Sequence, residues 1–142
     1  MIHQSLGFLM GAASRWSKRL FDQTLKEYDI TAVQWAILKH LEECGKCSQN
    51  QIAESLYMDK ASVGTIIEKL IKKEMVTREK SEDDRRAYHV FLTKKAKQVV
   101  QDLTSTAEET NEKSFGNMSQ EERTALKALL QKVIENLDKE LK

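Results

Sequence analysis

The sequence predicts a mainly α fold with a small β-hairpin. Three observations carry this. Proline is absent and glycine occurs only five times in 142 residues, so architectures built on many tight turns are excluded. Apolar residues recur every three or four positions over most of the chain. One short stretch, after Met75, switches to β-branched and aromatic residues in partial alternation. Hydrophobic residues make up 40% and charged residues 32%, a balance that fits neither a disordered chain nor a membrane protein.

Each element follows from its residues. Ile2, Leu6, Leu9, Ala13, Trp16 and Leu20 form one apolar stripe and predict a single long helix ending near Tyr28. Thr31 followed by Gln34 is a capping-box pattern, in which hydroxyl and amide each satisfy an orphan backbone N–H. It opens a helix carrying Trp35, Ile37, Leu38 and Leu41, which Gly45 ends. Ser48 and Gln51 repeat the pattern and start a short helix to about Leu56. After Tyr57-Met58, Asp59 caps a further helix with Val63, Ile66, Ile67, Leu70 and Ile71 on one face. Two helices joined by so tight a turn are the sequence form of a helix-turn-helix, although the turn lacks the glycine often found there. Val76 to Lys80 and Ala87 to Leu92 read as two strands around a polar tip, Ser81 to Arg86. From Lys94 a helix with Val99, Val100 and Leu103 begins and fades between Thr104 and Asn111. Ser119 and Glu122 cap the last helix, striped by Leu126, Leu129, Leu130, Val133, Leu137 and Leu141.

The middle of the chain can close a core by itself, but the apolar stripes of the first and last helices exceed what it covers. A second copy of the chain would bury them; a helical arm folded back within one chain is the alternative. The expected organisation is residues 1–30 as an N-terminal helix contributing to dimerisation, 31–93 as a compact lobe, and 94–142 as C-terminal dimerisation helices.

The net charge is +1, yet residues 60–97 hold 11 Lys and Arg against 6 Asp and Glu, a net +5. Such a stretch is a candidate footprint for a polyanion, with a solvated surface as the plain alternative. No apolar run approaches the ~20 residues that span a bilayer. The segment Leu6 to Ala13 has its basic residues after it, not before it, so a cytoplasmic protein is expected.

Three segments, in order and spanning nearly the whole chain, resemble the MarR family of winged helix-turn-helix transcription regulators. Thr31-Ala32-Val33-Gln34-Trp35-Ala36-Ile37-Leu38 is similar to the family's T-x-x-Q-aromatic-x-x-L helix start. Asp59 to Leu70 looks like its recognition helix. Asp84-Arg85-Arg86-Ala87-Tyr88-His89-Val90-Phe91-Leu92-Thr93 resembles the wing signature, D-x-R followed after a spacer by L-T. Gly64-Thr65 stands where Thr-Arg is frequent, which removes one long base-reading side chain. Lys94-Lys95-Ala96 replaces a common glycine.

The resemblance implies a homodimer, a repressor by family habit, on a pseudo-palindromic double-stranded operator. A recognition helix enters the major groove near its N-terminus. Lys60, Ser62 and Thr65 are therefore the base-reading candidates, and Lys69 and Lys72, further along, face phosphate. Arg86 at the wing tip is the candidate for the minor groove, where narrow A·T tracts concentrate negative potential. Asp84 is expected to orient that arginine, and Arg85 and Lys80 to meet phosphate. A winged-helix module that binds protein instead of DNA is the competing reading.

The resemblance also implies a small-molecule effector, often phenolic or lipophilic, in a cleft that Met10, Trp16, Trp35 and Phe115 could line; at helical spacing all four also read as core. Cys44 and Cys47 form a C-x-x-C one turn after His40. Thiolates at this spacing bind metal or exchange to a disulfide, so a thiol- or metal-sensing regulator is a further alternative. A closed zinc site needs four ligands, and His3 and His89 lie in distant segments, so two ordinary loop cysteines are the plain reading. The family's peroxide sensors carry a cysteine in the first helix and its zinc sensors histidines after the wing; this chain has neither. No resident cofactor is expected. No Ser/His/Asp order, glycine-rich phosphate loop, His-Glu-x-x-His or carboxylate dyad points to an enzyme.

Overall fold

The computed structural model describes residues 1–84 and 87–142; Arg85 and Arg86 lie outside the described residues. The chain divides into two compact units, Met1–Glu108 and Glu109–Lys142.

The first unit opens with a turn of 3-10 helix, Ile2–Gln4, followed by α1, Leu6–Thr24, and a second such turn, Lys26–Tyr28. The single helix expected from Ile2 to Tyr28 is thus interrupted at both ends. Ser5 is extended and its hydroxyl accepts the Phe8 N–H at 3.4 Å, which restarts the helix. Asp29 takes a left-handed conformation, φ 55°, and turns the chain toward α2, Ala32–Cys44. The α1–α2 corner is tied by Asp22, whose carboxylate accepts the Ala32 N–H at 2.6 Å. Partial burial pushes the Asp22 carboxyl up, but that N–H and Lys18 outweigh it and hold it below its ordinary value.

The capping boxes at Thr31 and Ser48 form as the sequence predicts, opening α2 and then α3, Gln49–Ser55. Gly45 ends α2 with φ +82°, a backbone that a residue with a Cβ adopts only under strain. At the next corner Tyr57 supplies the positive φ, 55°, that the missing glycine would have supplied. Asp59 then caps α4, Lys60–Lys72.

The hairpin is present as β2, Val76–Lys80, and β3, Tyr88–Leu92, but it is part of a three-stranded antiparallel sheet. The third strand, β1, is Lys46–Ser48, where the sequence predicts a loop. It pairs with β3 in the register Lys46 to Phe91, Cys47 to Val90 and Ser48 to His89. Three residues are too few to show a period of two, so only tertiary pairing reveals this strand. The base of the hairpin is clamped. The Thr93 N–H donates to the Met75 carbonyl at 3.1 Å, its hydroxyl to the Glu74 carbonyl at 2.8 Å, and Lys95 Nζ to the Lys73 carbonyl at 3.1 Å.

The following helix, α5, is continuous over Lys94–Phe115 and does not fade after Leu103. With no glycine or proline between Thr104 and Asn111, polar residues there continue the helix, and the Thr104 hydroxyl donates to the Val100 carbonyl at 2.7 Å. Ala96, Val100, Leu103 and Ala107 join the core built by Leu25, Ile37, Leu38, Leu41, Ile52, Val63, Ile67, Leu70, Val90 and Leu92. Burial of some twenty apolar side chains holds this lobe together.

The second unit holds the end of α5 and α6, Gln120–Leu141, which starts at the predicted Ser119–Glu122 capping box. The Ser119 N–H and hydroxyl hold the Glu122 carboxyl below its ordinary value. Arg123 bonds the Glu112 carboxylate and the Phe115 carbonyl, closing the α5–α6 corner. Leu129, Leu130, Leu137 and Leu141 of α6 are exposed within this unit, as are Leu6, Leu9, Met10 and Trp16 of α1 within the first. Among the described residues no helix is long and apolar enough to cross a membrane.

Candidate nucleic-acid interface

Helix α4 buries Val63, Ile67 and Leu70 and leaves Lys60, Ala61, Ser62, Thr65, Glu68, Lys69 and Lys72 exposed. All five candidate residues on this helix are therefore accessible. Its first turn is fixed by Asp59, which accepts the Ser62 N–H at 2.9 Å and the Ser62 hydroxyl at 2.7 Å. These two bonds lower the Asp59 carboxyl below its ordinary value, keeping the cap ionised. The Thr65 hydroxyl donates to the Ala61 carbonyl at 3.1 Å. Both hydroxyls thus spend their proton inside the helix and offer lone pairs outward.

The cations of the basic segment fall into two groups. Lys73 is committed to Asp29 and to the Gln34 amide oxygen, the latter at 3.0 Å. Arg78 is committed to Glu68 at 2.7 Å. Lys60, Lys69, Lys72 and Lys80 pair with no carboxylate among the described residues. Lys69 and Lys72 stand in the last turn of α4, where the helix dipole favours positive charge. Lys80 ends β2, opposite Tyr88. The wing loop closes through Ser81 N–H to the Ala87 carbonyl at 3.0 Å and Ala87 N–H to the Asp84 carbonyl at 3.1 Å. Asp84 is exposed; its expected pairing with Arg86, and the roles of Arg85 and Arg86, fall outside the described residues.

Sequence reasoning missed Arg78. It couples the wing to α4 through Glu68, lies over the Tyr88 ring at 5.6 Å, and lines a cleft of about 300 Å³ with Ser48, Gln49, Asn50, Ala87 and Tyr88. Strand parity contained the signal: Arg78 shares a face with buried Val76, so it points back toward the helices.

The four effector-pocket candidates meet different fates. Trp35 is core, 8% exposed. Met10 and Trp16 stand exposed on α1, with Arg19 over the Trp16 ring at 5.5 Å. Phe115 is half-buried in the second unit. A cleft of about 590 Å³ in the first unit is lined by other residues, among them Leu41, Glu42, Phe91, Lys97 and Gln101.

The cysteines are not two ordinary loop residues. Cys47 lies on β1, is 6% exposed, and is joined to exposed Cys44 by a disulfide. His40 Nε2 is 4.0 Å from Cys47 Sγ.

An exposed helix with unpaired lysines, capped by an aspartate and flanked by a wing, defines a winged helix-turn-helix protein. The model of the MarR family matches residues 30–88, which hold the helix-turn-helix and most of the wing. The transcriptional repressor NicR of Pseudomonas putida is 27% identical over 135 residues, covering 95% of this chain and 85% of that protein. Among solved structures, Bordetella bronchiseptica BpsR, whose DNA binding is regulated by 6-hydroxynicotinic acid, superposes with a TM-score of 0.85. It is 28% identical, over 92% of this chain and 93% of that one. Staphylococcus aureus MepR in complex with DNA gives a TM-score of 0.84 at 27% identity, over 93% and 98% of the two chains. The family-model match, the relative and the solved structures together support a winged-helix transcriptional regulator of the MarR family.

Proposed function

We propose that this chain is a homodimeric, cytoplasmic regulator that binds a pseudo-palindromic double-stranded operator and represses transcription until an effector binds. The observation that carries this reading is the set of lysines on and beside α4 that no carboxylate neutralises among the described residues. Lys60, Ser62 and Thr65 read base edges in the major groove, and Lys69, Lys72 and Lys80 hold phosphates. Arg85 and Arg86 extend the contact from the wing tip, Asp84 orienting Arg86. Residues 31–93 are the DNA-binding lobe. The first helix and residues 94–142 supply the dimer contact, which covers the exposed leucines of α1 and α6 and sets two α4 helices about 34 Å apart. The work of the chain is binding, not catalysis.

The test is fluorescence anisotropy with duplex DNA from upstream of the chain's own gene, at two salt concentrations, against a scrambled duplex. Tight, sequence-selective, salt-sensitive binding supports the proposal. A folded, reduced dimer without salt-dependent binding to any duplex would move the reading to a protein-interaction module. BpsR makes 6-hydroxynicotinic acid the first effector to titrate.

A further inference from the structure

The end of α2 and the start of β1 hold a cluster that operator binding does not use. His40 and Cys44 are four residues apart on α2, so their side chains project from one face of the helix. Cys44 and Cys47 are three apart, with Gly45 turning the chain between them. Both are chelating spacings, and they share Cys44. Their three ligand atoms lie within 4.8 Å of one another.

We propose that, with the disulfide reduced, His40, Cys44 and Cys47 bind one zinc ion through Nε2 and two thiolates. Two thiolates and an imidazole form a soft to borderline donor set, which selects zinc over magnesium or calcium. Zinc bond lengths place a nitrogen and a sulfur on one tetrahedral ion about 3.6 Å apart. His40 Nε2 and Cys47 Sγ, at 4.0 Å, need little movement to reach that. Cys47 is buried, His40 half-buried and Cys44 exposed, so the site sits at the surface with its fourth position open to water. Such a three-ligand site escapes the four-ligand requirement of closed structural zinc.

Metal and disulfide are alternative states of the same sulfurs. A dithiol reduces the disulfide by two electrons and itself becomes a disulfide. The two protein thiols then lose their protons to solvent as zinc binds. Because Cys47 pairs with Val90 of β3, the ion would sit one strand from the wing.

The test uses the full chain, reduced with dithiothreitol, desalted without oxygen and titrated with cobalt(II). A near-ultraviolet thiolate-to-cobalt band saturating at one equivalent per chain, displaced by zinc, is expected. Cys44→Ser, at an exposed position, should abolish the band. His40→Gln, which removes a direct ligand, should lower zinc affinity, measured against a chromophoric chelator, by at least the roughly 10–100-fold that losing a ligand's hydrogen-bonding partner costs. Circular dichroism establishes that each variant is folded. No band in the reduced protein, unchanged affinity in folded His40→Gln, or reversible thiol oxidation without metal uptake would each overturn the proposal. The readout needs no DNA, so it stands or falls independently of operator binding.

Discussion

Replacing Lys69 by alanine tests the interface through a quantity that stability does not move. Lys69 is exposed on α4, pairs with no described carboxylate, and lies away from the buried Val63–Ile67–Leu70 face. Its loss should leave the fold intact. Each phosphate contact contributes about 0.9 to the slope of log K against log salt, so a dimer losing two contacts should show a slope shallower by about 1.8. Between about 50 and 200 mM salt, the affinity loss should then shrink about twelvefold relative to the parent. Anisotropy titrations at four or five salt concentrations read this directly. Lys39→Ala is the control, because Lys39 is paired with Glu42 at 2.7 Å and should leave the slope unchanged. An unchanged slope in folded, dimeric Lys69→Ala would refute the assignment of the α4 face to phosphate.

Ile67, fully buried under α4, should cost about 2–5 kcal/mol when cut to alanine, read from urea denaturation with an unchanged m-value. Gly45→Ala should cost about 1–3 kcal/mol although nothing lies within 4 Å of the added Cβ, because φ 82°, ψ −77° strains an L-residue; thermal melts read the loss. Leu130→Glu with Leu137→Glu should yield monomers in sedimentation velocity, while the far-ultraviolet circular dichroism of the lobe persists. Asp22, Asp59, Glu112 and Glu122 are all held below their ordinary values of 3.8 and 4.5. A depressed folded pKa stabilises above the unfolded value, and that contribution is lost as pH falls through the folded one. Urea midpoints should therefore hold steady with respect to these groups above about pH 5 and fall in acid. Ser119→Ala, which removes the hydroxyl beside Glu122 but keeps the backbone N–H that lowers its carboxyl most, should flatten only a small part of that fall.

The helix-turn-helix was legible because its signals are local. Thr31–Gln34, Ser48–Gln51 and Asp59 announce their helices within four residues, and the stripe Val63, Ile67, Leu70 announces the buried face. What escaped was set by distant partners. β1 exists because Cys47 meets Val90, forty-three residues away along the chain. The arrest at Leu25 and the turn through Asp29 interrupt an amphipathic pattern that continues in the sequence. The helix continues through Thr104 because no glycine or proline interrupts it and its inner face, Leu103 and Ala107, is buried, whereas composition alone reads threonines as breakers. At the interface, the lysines were legible as charges. Which of them are free was not: Lys73 and Arg78 look as available as Lys69 until Asp29 and Glu68 are seen beside them.

The clamp at the base of the hairpin changes when its ordering cost falls. Thr93 and Lys95 fasten the chain that leaves the wing onto the Lys73, Glu74 and Met75 carbonyls, where the chain entered it. The excursion between Val76 and Leu92 is therefore a ring closed during folding. DNA meets strands whose ends are already fixed, so closing that loop adds no entropy cost to operator binding. Loosening the clamp, as in Thr93→Ala, would transfer part of that cost from folding to recognition.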